Sequence, residues 1–170
     1  MSVLCLRNSQ KSRKINLRLL RRIALFTLKE VFHESRFELG IRLVGADEMA
    51  KVNETFLQHS GSTDVVTFDY AEEKTTANAS SAMKPAPSTM HGEIFVSIDD
   101  AVAQAIQFRT TWQSELARYV VHGILHLRGF DDLNPVARRK MKREENRVLK
   151  ILELQFPLAQ LRRKPGAKNG

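Results

Sequence analysis

The chain has 170 residues, of which 42% are hydrophobic, and a formal net charge of +8. This length and composition suit one globular domain with a single core, and no run approaches the 18 apolar residues that suggest a membrane span. The single cysteine, Cys5, excludes an internal disulfide and a cysteine-based zinc site. We expect Cys5 to be a small buried residue of a strand, and the protein to reside in a reducing cytoplasm.

Hydrophobic periodicity and capping residues predict the elements in chain order. A strand over residues 2–8 precedes a helix capped by Asn16, and a strand over 37–45 precedes a helix over 46–58. Two further strands, 63–70 and 92–99, follow. Asp99 or Asp100 is the expected N-cap of a helix that begins at residue 101. The next helix spans 111–129 and ends at Gly129, and the last begins at Asn134-Pro135 and runs to residue 156.

This order predicts a single α+β domain, in which a small mixed sheet of about four strands packs with about five helices. We assign the domain to residues 1–157. Residues 71–90, which are small, polar and proline-containing, form a predicted flexible insertion. Residues 158–170 form a predicted disordered basic tail.

Lysine and arginine concentrate in residues 7–22, residues 138–150 and the tail. Such a basic balance favours polyanions, namely RNA, DNA or anionic lipid. A solvated helix face is the alternative for residues 138–150, because Glu144 and Glu145 can pair with basic residues one turn away.

Two of the five histidines, His122 and His126, stand four residues apart in the apolar stretch VVHGILHLRGFDDLNP. Side chains at this spacing project from one side of a helix, so both rings can bind one ion at about 2.0–2.1 Å. A catalytic zinc commonly takes a third protein ligand. Gly129 allows the chain to reverse after the helix, and either Asp131 or Asp132 can then supply a carboxylate.

The residues alone leave other interpretations open. A histidine on an apolar helix often only hydrogen-bonds to a carbonyl or carboxylate, and aspartates after a helix-ending glycine are common turn residues. A zinc protease helix carries glutamate after its first histidine as the general base, whereas Gly123 stands there in this chain. Peptide hydrolysis is therefore disfavoured.

The stretch HGILHLRGFDD resembles the signature H-G-x-L-H-L-x-G-[YF]-D-H of the YbeY family, the bacterial metal-dependent endoribonucleases also called rRNA maturation factors. Two separate stretches, STDVVTF and HGEIFVSIDDAVAQA, are similar to further motifs of that family. The helix MAKVNETFL stands where the family has L-N-x-x-[FY]. The motifs follow the family's order, and the resemblance covers residues 1–155.

The resemblance implies an α+β fold, one Zn²⁺ per chain on three side chains, and hydrolysis of single-stranded RNA. We expect metal-activated water to attack the phosphodiester, with the RNA 2′-hydroxyl as the alternative attacking group. His122, His126 and Asp132 match the ligand positions. It also implies a role in rRNA maturation and ribosome quality control, with rRNA and the small ribosomal subunit and its factors as partners in the cytoplasm. Asp64 and Glu115 are candidates to orient a ligand histidine, although each also suits a structural role.

Two positions depart from the family pattern. Asp132 stands where the family usually has histidine, and a carboxylate shifts metal preference towards Mn²⁺ or Fe²⁺. Leu57 stands where many members carry an arginine thought to contact RNA, and Arg128 or a neighbouring lysine is the candidate replacement. The alternative function is a non-catalytic RNA- or ribosome-binding assembly factor with a weakened or structural metal site. A metal-dependent hydrolase of a small substrate is a third reading, which leaves the basic segments unexplained.

Overall fold

The computed structural model describes residues 1–57, 63–71 and 89–166. Four strands occur in this part of the chain: β1 (Val3–Asn8), β2 (Phe37–Val44), β3 (Val65–Asp69) and β4 (Met90–Ser97). Five α-helices accompany them: α1 (Leu17–Phe26), α2 (Ala46–Val52), α3 (Ile98–Phe108), α4 (Trp112–Leu127) and α5 (Pro135–Gln155). Single π-helical turns continue α1 (Thr27–Val31) and α2 (Asn53–Leu57). The predicted α+β fold is confirmed.

The strands form one mixed sheet in the order β1-β2-β4-β3. β1 pairs in parallel with β2, β2 pairs in parallel with β4, and β3 pairs antiparallel with β4. Parallel neighbours need a crossover connection, and α1 supplies it between the first two strands. Strand β4 is paired on both sides, and most of its side chains are buried.

The core has two layers because alternate residues of a strand point to opposite faces of the sheet. Ile94 and Val96 of β4 belong to the main cluster, which α1, α4 and α5 complete. Phe95 faces the other way and packs with Met49 and Val52 of α2 in a smaller cluster. Cys5 of β1 alternates with the buried Leu4 and is exposed, so the prediction of a buried cysteine is wrong.

Helix α4 crosses the main layer, where it packs on β3, β4, α3 and α5. Its predicted inward residues Leu116, Tyr119, Val120 and Ile124 are all at most 4% exposed. A Cβ at Gly123 would lie 2.5 Å from Cγ2 of Ile94. The helix therefore approaches the sheet so closely that a glutamate has no room at the position where zinc proteases carry one.

The helix starts follow the capping residues in two cases and depart from them in one. Asn16 accepts a hydrogen bond from the Leu19 N–H at 3.1 Å, and Asn134 accepts one from the Ala137 N–H at 2.8 Å, as predicted. The cap of α3, however, is Ser97, which precedes the expected Asp99 and Asp100.

The carboxylate of Asp99, predicted as a cap for its own helix, instead caps a neighbouring one. It accepts hydrogen bonds from the Ala46 N–H of α2 at 2.6 Å and from the Ser12 hydroxyl. Asp99 therefore stabilises the start of α2 and not the start of its own helix.

The segment that follows α5 departs from the predicted disordered tail. Leu158–Leu161 form a 3-10 turn, and Leu161 is fully buried. Arg162 pairs with Ile15 in an antiparallel bridge, so the segment closes over the start of α1. The apolar leucines three residues apart account for the packing. Residues 167–170, and residues 72–88 of the predicted insertion, lie outside the described part of the chain.

Candidate metal centre

His122 and His126 lie on the last two turns of α4 and face one another. Their Nε2 atoms are 3.0 Å apart, and the rings meet edge to face at 82°. Two nitrogens that bind one tetrahedral zinc ion at 2.0–2.1 Å are separated by about 3.3 Å. The predicted i, i+4 pair is therefore close to the separation that a shared ion requires.

Hydrogen bonds fix which ring nitrogens are free to bind a metal. The Nδ1 of His126 donates to the Phe130 carbonyl at 3.1 Å, and the Nδ1 of His122 donates to the Glu145 carboxylate at 2.9 Å. Since both partners accept, the neutral rings carry their lone pairs on Nε2, where the two rings meet. Burial, followed by the neighbouring His122, holds the pKa of His126 below its ordinary value and favours the neutral, ligating form.

The turn after α4 returns the chain to the histidines. Gly129 adopts φ +97°, its N–H donates to the His126 carbonyl, and the Phe130 N–H donates to the Leu125 carbonyl. This pattern is a Schellman helix end, which needs a residue that tolerates positive φ. The same turn presents the Phe130 carbonyl to His126 and carries the chain on towards Asp132.

Asp132, rather than Asp131, joins the histidines. A carboxylate oxygen of Asp132 and one nitrogen from each histidine all lie within 4.8 Å of one another. Asp131 instead accepts a hydrogen bond from the Leu133 N–H at 3.2 Å, as a turn residue does. The two imidazoles with outward lone pairs and one carboxylate fit the donor set of a divalent transition metal, so this group can hold such an ion.

Glu145 of α5 anchors the first histidine. Its side chain is only 5% exposed and accepts hydrogen bonds from His122, from Arg118 at 2.7 Å and from Lys142 at 3.3 Å. Burial raises the pKa of Glu145, but the hydrogen bonds from His122 and Arg118 and the charge of Lys142 outweigh it and lower the pKa to about 2. Glu145 is therefore an ionised acceptor that fixes the ring of His122.

Comparison with known proteins identifies the family of this site. A family model described as endoribonuclease YbeY matches residues 5–153. The chain belongs to the YbeY family. It is 30% identical over 142 residues to endoribonuclease YbeY of Chlorobium phaeovibrioides, covering 74% of this chain and 86% of that protein. It is 37% identical over 123 residues to endoribonuclease YbeY of Parabacteroides distasonis, covering 72% and 77%. It also resembles a solution structure from Thermotoga maritima, with 25% identity, a TM-score of 0.58 and coverage of 98% and 100%.

The other site residues predicted for this YbeY-family chain do not touch the histidines. The Asp64 carboxylate accepts from the Val65 N–H at 2.9 Å, and the buried Glu115 accepts from the Thr110 hydroxyl at 2.7 Å. Both acids were candidates for the anchoring role from the sequence, each with a structural role as the alternative, and Glu145 was not among the candidates. The available signal was its position between Met141 and Val148, which places an acid on the apolar face of α5.

Arg128, the candidate RNA contact, is directed away from the histidines. Its guanidinium pairs with Glu34, donates to the Phe32 carbonyl at 3.3 Å and lies 4.5 Å from the centroid of the Phe32 ring. These contacts tie the end of α4 to the segment after α1. A contact between Arg128 and RNA stays a prediction.

A cavity of about 500 Å³ opens beside the candidate metal centre. Its lining comes mainly from α3, α4 and α5 and combines acids, bases, an amide, an aromatic ring and a phenol: Asp64, Gln104, Phe108, Thr110, Glu115, Arg118, Tyr119, His122, Asp132, Arg138, Met141, Lys142 and Glu145.

None of the described helices has the length and apolar content to cross a membrane.

Proposed function

We propose that this YbeY-family chain is a metal-dependent endoribonuclease that hydrolyses phosphodiester bonds of single-stranded RNA. One observation carries the proposal: His122, His126 and Asp132 bring three ligand atoms within 4.8 Å in a member of a family described as endoribonucleases. The named relatives supply the reaction class, and the donor set supplies the reason for a metal.

Hydrogen bonds within the chain orient the two histidines before substrate binds. Glu145 and the Phe130 carbonyl hold the two imidazoles with Nε2 exposed to one point, so little rearrangement accompanies binding. His122, His126 and Asp132 would hold a divalent ion at that point, and the ion would supply Lewis acidity to a phosphoryl oxygen and to water. Arg138 and Lys142, which line the adjoining cavity, hold the RNA backbone by charge.

Zn²⁺, one per chain, is the proposed ion, because two imidazoles and a carboxylate are a recognised zinc donor set. The carboxylate of Asp132 makes the site more tolerant of Mn²⁺ or Fe²⁺ than a three-histidine site. Replacing Asp132 with histidine should therefore raise the selectivity for Zn²⁺ over Mn²⁺, which competition between the two ions measures directly.

The biological setting that we propose is maturation of rRNA and quality control of ribosomes in the cytoplasm, with the small ribosomal subunit and its factors as partners. The net charge of +8 supports an anionic macromolecular partner. The family membership supports RNA as that partner.

The experiment compares cleavage of end-labelled single-stranded and duplex RNA by the wild type, Asp132→Ala and Asp131→Ala. The two aspartates are adjacent, but only Asp132 joins the histidines. Asp132→Ala should lose metal and cleavage together, whereas Asp131→Ala should keep both. Equal cleavage by the two variants would refute the assigned site.

A non-catalytic RNA- or ribosome-binding factor is the second candidate. Leu57 favours it, because a leucine cannot make the ionic RNA contact of the arginine that many family members carry. Measurements on the wild type alone distinguish the two candidate functions. Tight, salt-sensitive RNA binding without any metal-dependent cleavage would select the non-catalytic factor.

A further inference from the structure

The cavity beside the candidate metal centre extends along one face of α4. Glu115, Tyr119 and His122 all line it, and their spacing of four and three residues stacks them on that face. Seven residues of helix span about 10 Å, so the end at Glu115 lies about that far from the metal ligands. A volume of about 500 Å³ falls within the range of small-molecule sites.

Tyr119 lines this cavity, and its buried hydroxyl lacks a hydrogen-bond partner among the described residues. Tyr119 is 4% exposed, and its hydroxyl is one of two buried side-chain polar atoms without a partner in the described part of the chain. Burial, followed by the charges of Asp64 and Glu115, raises the pKa of Tyr119, so the group remains a proton donor. A buried donor with nothing to donate to is costly, and a ligand acceptor would satisfy it.

Glu115 offers the complementary chemistry four residues earlier. It is 7% exposed, and one carboxylate oxygen accepts from the Thr110 hydroxyl. Within the described residues, its other oxygen has no hydrogen-bond partner. A carboxylate in this position accepts N–H donors, so the part of the cavity lined by Glu115 and Tyr119 suits a ligand that carries both donors and an acceptor on one edge.

The rim of the cavity adds an aromatic surface and positive charge. Phe108, the last residue of α3, lines the cavity and is 62% exposed, which leaves its ring available for stacking. Arg138 and Lys142 of α5 line it beside Asp132. Unstacked RNA bases bind to proteins in this way, by stacking on aromatic rings and hydrogen-bonding along their edges.

We propose that this cavity is a nucleobase subsite that receives a guanine next to the phosphodiester to be cut; the proposal rests on the RNA substrate proposed above. Guanine presents two adjacent donors, N1–H and the N2 amino group, to the Glu115 carboxylate, and its O6 accepts from Tyr119. Adenine, cytosine and uracil lack this combination of two adjacent donors and an acceptor. The base stacks on Phe108, and its phosphate extends towards Arg138 and the metal ligands.

The test measures equilibrium binding of guanosine, adenosine, cytidine and uridine monophosphates to the full chain by NMR titration, with and without Zn²⁺. Guanosine monophosphate should bind about tenfold or more tightly than the others, as hydrogen bonds to a charged group allow. Glu115→Gln should remove that preference while keeping the bond from Thr110. Glu144→Gln, an acid outside the cavity, is the matched control.

Two further variants keep the test valid where Glu115→Gln disturbs folding. Tyr119→Phe deletes only the unpartnered hydroxyl and should weaken binding of guanosine monophosphate about three- to tenfold. Phe108→Ala should weaken binding of all four nucleotides about fivefold or more through lost stacking. Ile106→Ala, on the same helix, exposed but outside the cavity, should leave binding unchanged.

Equal affinity for the four nucleotides would overturn the guanine subsite, as would an unchanged preference in both Glu115→Gln and Tyr119→Phe. This result is distinguishable from failure of the proposed function. A wild type that prefers guanosine monophosphate but cuts no RNA keeps the subsite and loses the nuclease. A wild type that cuts RNA but binds all four nucleotides equally keeps the nuclease and loses the guanine subsite.

Discussion

Replacing Glu145 with glutamine removes one charge from the most connected polar group beside the candidate metal centre. Glutamine keeps the shape but cannot accept from His122 and Arg118 with two equivalent oxygens. The pKa of Glu145 is lowered from 4.5 to about 2, and at 1.36 kcal/mol per pKa unit this corresponds to about 3 kcal/mol at neutral pH. Loss of one partner from a buried ion pair gives a similar figure, about 3–5 kcal/mol.

Urea unfolding of the wild type and Glu145→Gln between pH 2 and pH 7 measures this contribution. Because the folded-state pKa lies below the unfolded value, the stabilisation is present above about pH 4.5 and is lost as the pH falls through about 2. The two unfolding free energies should therefore differ by about 3 kcal/mol at pH 7 and converge near pH 2.

The matched control is Glu144→Gln, the neighbouring acid, whose ion pair with Arg147 lies at the surface. An exposed pair contributes about 1 kcal/mol or less. Glu145→Gln should also weaken Zn²⁺ binding by about 10- to 100-fold, since it releases the ring of His122, whereas Glu144→Gln should not. Equal stability and equal Zn²⁺ affinity of the two variants would refute the anchoring role of Glu145.

Three other substitutions test the surrounding fold by urea unfolding. Gly123→Ala should lower the free energy of unfolding by about 1–3 kcal/mol, because the added Cβ meets Ile94 at 2.5 Å. Asp99→Ala should lower it by about 1 kcal/mol through loss of the cap on the Ala46 N–H. Tyr119→Phe should raise it by about 1 kcal/mol, because it deletes a buried hydroxyl without a partner among the described residues.

Each of these substitutions has an outcome that contradicts its reason. An unchanged free energy of unfolding in Gly123→Ala would mean that α4 can move away from the sheet at no cost. An unchanged free energy of unfolding in Asp99→Ala would mean that water replaces the cap. A destabilised Tyr119→Phe would mean that the hydroxyl already has a partner in solution.

The grouping of His122, His126 and Asp132 could be predicted because its geometry is local. Two residues four apart on a helix share a face, and a glycine that ends the helix returns the chain within a few residues. The sequence left Asp131 and Asp132 as alternatives, because the direction of each carboxylate depends on which one completes the turn. The structure assigns the turn to Asp131 and the cluster to Asp132.

The features that sequence reasoning missed depend on contacts between distant segments. Glu145 reaches His122 from another helix, and Asp99 caps α2 from the first turn of α3. Leu161 is buried only because the chain after α5 returns to the start of α1. Periodicity identifies an acid on an apolar face or a leucine in a tail, but not the partner that it meets.

The proposed function requires that His122, His126 and Asp132 bind one divalent metal ion. Elemental analysis of the purified chain, together with its Asp132→Ala and Asp131→Ala variants, measures this binding. We expect about one transition metal per chain in the wild type and in Asp131→Ala, and none in Asp132→Ala. A wild type without stoichiometric metal after purification and Zn²⁺ titration, or full retention in Asp132→Ala, would contradict it.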